Sequence, residues 1–425
     1  MTDPAAIRAR VRKLLDSDGA PQDGRAPVAA PSTAEEAAAL LRVAREEGWK
    51  VLPAGNGVGA GIRPAHAPLS ASGAHEGAAE PDLTISTSRM AVLIEHEPAD
   101  LTMHAGAGLT LGALQKGVAN AGQWLALDPP GGEGITLGGI VATGTGGPLR
   151  VSHGRPRDQL LGLTMVDGAG RILSLGGRVV KNVAGFDLVR LATGSLGALG
   201  LITQVIFRLY PLPEDDRTLV WSRGRADEAW ELGRSLATLP LPVAAAELLA
   251  GEKEAPLDDS GVRVLLRLMG SKRAVARMRE VLLEKVGLPV RELEGPDSAA
   301  AARILARDDG AGAVTFRAHA LPDRGGAIAA ALEGVPLRHL AMHLLEGTFR
   351  GTLLPDATVE ALAGVGKAAR SVGGSLRVLR AQGAIPVEIE GGGEPSAAVA
   401  RLHAGITRGF DPGGILPGAW REGWK

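Results

Sequence analysis

Short apolar runs alternate along this chain with glycine-rich breaks. Residues 32–48, STAEEAAALLRVAREEG, place Leu40, Leu41 and Val43 on one side, which predicts an amphipathic helix. Ser32 and Glu35 have the spacing of a capping box, and Gly48 is a stop signal. WKVLPAG then predicts a strand running into a glycine loop, and residues 65–81, small and rich in Pro and Gly, read as a surface excursion. DLTIST, AVLIEH and LTMHAG predict three strands. Thr110 is placed to cap a helix with Leu111, Leu114 and Val118 on one face, ended by Gly122. LLGLTMVDGAGRILSL predicts a hairpin with Asp167-Gly168 at its turn, DLVRLATG a helix, and LITQVIFRLYPLP a buried strand ended by prolines.

The pattern changes after Pro213. Strand-like runs (TLVWS, VRVLLRL, AVTFRAH, RHLAMHL) then alternate with helix-like ones (SKRAVARMREVLLEKVG, ATVEALAGVGKAAR), which predicts an α+β layer with antiparallel strands. The expected organisation is an N-terminal helix and linker over 1–30, a first domain over 31–213, and a second over 214–425.

Composition narrows the chemistry. The 46 Lys+Arg nearly cancel the 47 Asp+Glu, so a general nucleic-acid binder is not expected. Cysteine is absent, which excludes disulfides, thiolate nucleophiles, cysteinyl flavin links and cysteine-ligated iron–sulfur clusters within these residues. The opening residues, with Arg8, Arg10, Arg12 and Lys13, read as a short solvated helix and as neither leader nor anchor; no run is apolar enough to span a bilayer, so a cytoplasmic location is expected. No histidine and carboxylate spacing resembles a metal site.

Glycine is the outlier, with 60 of 425 residues, gathered in three segments. In VLPAGNGVGAGIRP, residues 51–64, Gly55, Gly57 and Ala60 fit a relaxed dinucleotide fingerprint, but Gly61 and Pro64 interrupt the helix that fingerprint must open. A nest of backbone N–H groups converging on a pyrophosphate is the better reading, against a plain glycine turn. Residues 127–162 hold too many glycines for a core strand and suit backbone laid along a flat polar ligand, with hydroxyls from Thr136, Thr143 and Thr145. Arg157 and Asp158 there make either a local ion pair or a ligand contact. In residues 176–203, Lys181, Asn182 and Asp187 precede Gly194–Gly200, which feeds a strand.

These three segments, in this order, resemble the FAD-binding domain of the vanillyl-alcohol-oxidase or PCMH type. P-x-G-x-G is met by Pro53, Gly55 and Gly57, T-x-G-G-x-x-A-T by Thr136 to Thr143, and G-S-L-G-x-L-G-[IVL]-I-T by Gly194 to Thr203. GGPLRVSHGRPRDQLLG, GGRVVKNVAGFDLVRLATGSLG and FDPGGILPGAW are similar to the smaller flavin subunits of bacterial glycolate oxidases. The resemblance implies an α+β protein: a two-subdomain FAD-binding fold followed by an α+β cap domain with an antiparallel sheet, its C-terminal segment returning to the first domain. It implies FAD bound by Pro53, Ala54, Gly55, Asn56, Gly57, Val58, Gly59, Pro130, Thr136, Gly138, Gly139, Thr143, Gly146, Gly147, Gly200 and Ile202. Relatives with covalent flavin use a His in the pyrophosphate loop or a later Cys; Asn56-Gly57-Val58 and the absence of Cys imply non-covalent FAD.

The sequence departs from that pattern at Gly144, where many relatives have Asn, and at Ile415-Leu416-Pro417-Gly418, which lacks the Asn of I-L-N-P-G. The late G-D-G-N-x-H segment of 2-hydroxy-acid dehydrogenases is absent; that region reads GGSLRVLRAQGAIP. Oxidising a 2-hydroxy acid needs a base, a cation for the carboxylate and a hydride acceptor. His319, His343 and Arg350, with His339 and Arg317, lie on strand-like runs of the second domain and are the candidates, against their reading as ordinary strand residues. His153, in a glycine loop, is expected to support the flavin site from behind. The resemblance implies an FAD-binding subunit of a glycolate-type dehydrogenase complex, beside a larger FAD-binding subunit and an iron–sulfur subunit, acting on a small 2-hydroxy acid. The alternatives are a self-sufficient D-2-hydroxy-acid dehydrogenase and a non-catalytic scaffold of the same fold.

Overall fold

The computed structural model describes residues 3–16, 27–56, 81–177, 186–251, 253–259, 261–306, 314–381, 389 and 397–420. Gly57, Val58, Gly59, Ala60, Gly61, Pro64, His66, His75, Lys181 and Asn182 lie outside the described residues.

The helix Ala34–Glu47 forms where the periodicity predicts, with its cap one residue later than the Ser32–Glu35 spacing suggests. Thr33 Oγ1 accepts from the Glu36 amide at 3.1 Å, and the Glu36 carboxylate accepts from the Ser32 amide at 2.7 Å. The helix ends at Gly48, with φ +69°. It buries Ala37, Ala38, Leu40, Leu41 and Ala44 in a cluster with Val51, Ile85, Ile415 and Leu416. Each fully buried leucine there is worth about 1.5–3 kcal/mol.

Strands β1 (Val28–Ala29), β2 (Val51–Ala54) and β3 (Leu83–Ser86) form a parallel sheet in the order β1-β3-β2. Strands β4 (Leu93–Glu97), β5 (Thr102–Gly106), β7 (Leu160–Val166), β8 (Ile172–Gly176) and β9 (Leu201–Arg208) form an antiparallel sheet in the order β4-β5-β9-β7-β8. The short β6 (Gln123–Trp124) pairs with β10 (Tyr210–Pro211). The β7–β8 turn is wider than a two-residue Asp-Gly turn. The fully buried Asp167 carboxylate accepts from the amides of Ala169 and Arg171 at 2.9 Å and so organises the loop.

The C-terminal segment packs against these sheets. The Gly168 amide donates to the Phe410 carbonyl at 2.9 Å, and the Val51 amide to the Ile415 carbonyl at 2.8 Å. Asp411 caps the return by accepting from the amides of Ile415 and Leu416.

After Pro213 the chain builds an eight-stranded antiparallel sheet, the α+β layer expected from the pattern. Its strands are β11 (Asp215–Arg223), β12 (Ala245–Gly251), β13 (Val262–Gly270), β14 (Arg291–Glu294), β15 (Thr315–His319), β16 (Leu337–His343), β17 (Thr348–Leu353) and β18 (Ser375–Arg380). Their order is β14-β11-β13-β12-β16-β17-β15-β18. Side chains alternate between faces. One face, with Leu219, Trp221, Leu248, Phe316, Phe349 and Val378, forms the largest core cluster with Trp230, Met278, Leu282, Val365 and Ala369, which come from helices. The other face is divided. At one end Val220, Leu249, Leu265 and Leu293 pack against Ala301, Ile304 and Leu305 of the helix Pro296–Leu305. At the other end, strands β15 to β18 present arginine, histidine, serine and threonine.

Candidate functional site

The polar end of the sheet closes over the loop that follows the helix Leu137–Thr143, leaving a cavity of about 410 Å³. Gly144, Thr145, Gly146, Arg150 and Arg155 line it on the first-domain side. Arg317, His319, His343, Glu346, Thr348, Arg350, Ser375 and Arg377 line it on the sheet side. Strand register brings the second set together. Arg317 stands opposite Arg350 on one neighbour and Arg377 on the other; two residues along, His319 stands opposite Thr348 and Ser375. His343 is opposite Thr348 in turn.

Arg150 joins the two walls. Its Nε donates to the Glu346 carboxylate, and its Nη1 donates to the carbonyls of Gly146 and Gly147 at 3.1 and 3.4 Å. Its Nη2 is buried without a hydrogen-bond partner. Arg155 approaches the other oxygen of Glu346 at 3.7 Å. Ser152 adds a second link, donating to the Ala244 carbonyl at 2.9 Å.

Burial sets the protonation of the histidines. His343 Nδ1 lies 2.5 Å from Glu247 Oε2, a contact that lacks the directionality of a hydrogen bond. Burial, followed by the nearby Arg150 and Arg350, holds the imidazole well below its ordinary value. Burial also pushes the Glu247 carboxyl well above its own, opposed by Arg150 and aided by Asp128 and Glu346. Both shifts disfavour the charged form of their group. His319 is likewise lowered by burial and by Arg317. Both cavity histidines are thus neutral near pH 7, the state a proton acceptor requires.

The glycine segments meet on the first-domain side. Pro53 and Ala54 end β2, and the Gly55 carbonyl accepts from Ser86 Oγ at 2.9 Å. Asn56 Nδ2 donates to the Gly134 carbonyl at 2.5 Å. Thr136 caps the helix Leu137–Thr143, which contains Gly138 and Gly139, and Thr143 Oγ1 donates back to the Gly139 carbonyl at 2.8 Å. Pro130 is buried in the loop before this helix, and Ile202 is buried in β9.

Part of the glycine content serves the chain's own packing. A Cβ at Gly55 would overlap Thr136 Oγ1, one at Gly147 the Asp128 carbonyl oxygen, and one at Gly200 the Val166 carbonyl oxygen. The amides of Gly146 and Gly147 find no acceptor among the described residues, although Gly147 is buried. Side-chain-free backbone with unsatisfied donors beside a cavity fits the polar edge of a flavin.

Other expected residues lie elsewhere. His339 is buried on β16 opposite Gly251 and Thr352, outside the residues that line the cavity. His153 packs against Trp124 and Tyr210, with ring centroids 5.9 and 4.9 Å away, and is not among the residues that line the cavity. Arg157 and Asp158 approach at 3.6 Å, so the local ion pair is present. His96 and His104 each bond a glutamine at 3.0 Å. Among the described residues no three His, Asp or Glu side chains are grouped to hold a metal, and no helix is long and apolar enough to cross a membrane.

Sequence reasoning missed Arg150, Arg155, Glu346, Thr348, Ser375 and Arg377. The available signal was the repeated T-F-R at 315–317 and 348–350 and the S-L-R at 375–377, each with an apolar residue between two polar ones.

A second cavity, of about 490 Å³, lies between the Gly131–Glu133 loop and the helix Pro296–Leu305, lined among others by Trp124, Asp128, Arg267 and Arg303. Asp128 keeps some solvent-exposed surface, but burial of its carboxyl dominates. It is pushed up to about 7 against the lowering effect of the Leu149 amide, Arg267 and Arg150.

A family model described as an FAD binding domain matches residues 26–176. The chain is 41% identical over 128 residues to glycolate oxidase subunit GlcE of Escherichia coli strain K12, covering 30% of this chain and 37% of that protein. It is 33% identical over 218 residues to a D-lactate dehydrogenase of Archaeoglobus fulgidus, covering 51% of this chain and 46% of that protein. It is 30% identical over 213 residues to glycolate oxidase subunit GlcD of Bacillus subtilis strain 168, covering 49% of this chain and 42% of that protein. The matches thus span less than half the length of these curated relatives. A solved structure of alkyldihydroxyacetonephosphate synthase superposes with a TM-score of 0.69 at 16% identity, covering 98% of this chain and 84% of that one, which establishes a shared fold.

Proposed function

Given that residues 26–176 match the model of an FAD binding domain, we propose that the chain is an FAD-dependent dehydrogenase of 2-hydroxy acids that takes its substrate in the 410 Å³ cavity. The observation that carries this reading is the sharing of one cavity by two walls: the flavin-domain backbone at Gly144–Gly146, and a sheet face bearing arginines and neutral histidines. Bound FAD would supply the two-electron acceptor. The Gly146 and Gly147 amides, with the loop from Pro53 to Gly59 and the residues Pro130, Thr136, Gly138, Gly139, Thr143, Gly200 and Ile202, would hold it. The absence of Cys, together with Asn56-Gly57-Val58 in the pyrophosphate loop, supports dissociable attachment.

The chain's own groups divide the remaining work. Arg317, Arg350 and Arg377 would fix the substrate carboxylate by charge-assisted, paired hydrogen bonds. A neutral imidazole, His319 or His343, would take the hydroxyl proton, and burial is what keeps that imidazole ready to accept it. Arg150, through Glu346 on one wall and the Gly146 carbonyl on the other, would fix their separation. A visible spectrum before and after acid precipitation, with an assay of 2-hydroxy acids against a dye acceptor, tests this. Flavin released to the supernatant and dye reduction are expected; a protein that neither carries nor takes up FAD overturns it.

Likeness to a glycolate oxidase subunit supports a second reading. In it the chain works beside a larger flavin subunit and an iron–sulfur subunit, and its cavity passes electrons onward. Turnover by the chain purified alone contradicts that reading; turnover only on co-expression with such partners supports it.

A further inference from the structure

Glu247 has no part in the chemistry above, yet it is the side chain against which His343 is set. The two residues are directly opposed on β12 and β16. Glu247 is 1% exposed and His343 5%. His343 lines the cavity and Glu247 does not. His343 Nδ1 lies 2.5 Å from Glu247 Oε2. Two bare lone pairs do not approach that closely, so a proton lies between them. Neither carboxyl oxygen of Glu247 accepts a hydrogen bond among the described residues. An ionised carboxylate served by no donor is far costlier to bury than a neutral acid. The proton in the contact therefore belongs to Glu247, and Nδ1 is its acceptor. The imidazole's own hydrogen is then on Nε2, the nitrogen left to meet a ligand. Charged neighbours leave this assignment in place. Arg150 and Arg350 act on His343, and Arg150, Asp128 and Glu346 act on Glu247, but burial is the leading influence on both and disfavours either charge. His319 differs. It ends β15, is exposed, lines the same cavity, and its ring makes no hydrogen bond among the described residues.

We propose that Glu247 is a positioning residue: it holds His343 in the tautomer that presents Nε2–H to the cavity, so that His343 donates a hydrogen bond to an oxygen of the bound hydroxy or oxo acid and His319 is the imidazole left to accept the hydroxyl proton. This deepens the dehydrogenase reading and rests on it for the substrate. The tautomer belongs to the protein itself and is read without turnover.

Long-range proton–nitrogen NMR of the FAD-loaded protein with labelled imidazoles reports it, with His343→Phe identifying the signal. At pH 7 His343 should show a protonated Nε2 and a bare, hydrogen-bonded Nδ1. Glu247→Gln, whose amide N–H replaces the acid O–H, should keep that pattern, and Glu247→Leu should let the two tautomers exchange. Calorimetry with oxamate, an unreactive acid bearing a planar carbonyl, gives a second readout. Its affinity should fall about 3- to 10-fold in Glu247→Leu, the worth of one neutral hydrogen bond, and stay near the parent's in Glu247→Gln. As pH rises and the parent's carboxyl loses its proton, Nδ1 takes the ring hydrogen and Nε2 is left bare. The parent's oxamate affinity should therefore weaken at high pH, whereas Glu247→Gln, which has no such proton to lose, should hold its affinity over the same range. A purely structural role for Glu247 would not separate the two in this way. If Glu247→Leu does not fold, the parent and the Gln variant still decide. A bare Nε2 with a protonated Nδ1 at pH 7 overturns the proposal, as does oxamate binding in Glu247→Gln that weakens with pH as the parent's does. Nε2–H without turnover would leave this tautomer standing and remove the dehydrogenase reading; turnover with a bare Nε2 would do the reverse.

Discussion

The two walls of the cavity are made of different material. On the first-domain side the wall includes main chain at Gly144 and Gly146 beside the side chains of Thr145, Arg150 and Arg155, and next to it a Cβ at Gly147 would overlap the Asp128 carbonyl. On the sheet side it is side chain: arginine, histidine, threonine and serine from β15 to β18 stand in rows fixed by strand register. Where main chain packs that closely, as at Gly147, almost no substitution is tolerated, because an added Cβ would displace the chain itself. A side-chain wall tolerates substitution structurally, and each change there alters what is bound. The first wall suits a large invariant cofactor and the second a variable substrate.

Substitutions can break that contrast, beginning with the backbone wall. Gly147→Val forces a side chain into the Asp128 carbonyl and should destabilise the fold by about 1–3 kcal/mol. The purified protein should lose its flavin absorbance, and retained colour would show that the loop yields more easily than its packing implies. Next in size, Arg350→Met on the opposite wall should leave flavin content near that of the parent. It should lower kcat/KM for 2-hydroxy acids about 10- to 100-fold, the loss of a charged hydrogen-bonded contact. Loss of flavin in this variant would erase the distinction between the walls.

A third change sharpens the comparison at the joint behind the backbone wall. Asp128 has a folded value of about 7, above its unfolded value of about 4. As pH rises through this interval the unfolded chain loses its proton first, so this group makes the fold progressively less stable and its effect levels off above about 7. Asp128→Asn cannot ionise. Thermal melts between pH 4 and 8 should show the variant gaining on the parent across that window by roughly 1–2 kcal/mol, after allowance for the solvent that reaches the residue. The smallest effect is a calibration away from both walls. Thr33→Ala removes the helix cap and should cost about 0.5–1 kcal/mol, with flavin content and activity per flavin unchanged.

How far each wall could be read from the sequence follows from its construction. The flavin side consists of contiguous motifs, so Pro53–Asn56, Thr136–Thr143 and Gly194–Thr203 could be identified from the order of residues alone. The physical reason first given for the glycines was incomplete, since Gly55 and Gly200 are also required where the chain passes close to itself. The antiparallel second layer was equally legible, because after Pro213 strand-like apolar runs alternate with helix-like ones. The sheet-side wall was legible only in fragments. His319, His343, Arg317 and Arg350 stood out as residue types, whereas Arg377 and Ser375 fell within a stretch noted only for lacking a histidine-rich motif. What joins them is the register of β17, β15 and β18, set by pairings between residues up to 65 positions apart, Thr315 with Arg380, and by a bulge near Thr315 that no local pattern encodes. Arg150 and Glu346 are separated by 196 positions and had no sequence signal linking them.

The return of the C-terminal segment has a bearing on biosynthesis. Ile415 and Leu416 fill the same cluster as Val51, Ile85 and the helix Ala34–Glu47, and the Phe410 carbonyl closes onto the β7–β8 turn. While the ribosome is still translating the eight-stranded sheet, the nascent flavin domain lacks these last plugs and leaves apolar surface uncovered. Its maturation, and with it the moment at which FAD can be captured stably, must wait until residues 410–416 have cleared the exit tunnel, which makes the interval before then the one in which chaperone protection matters most.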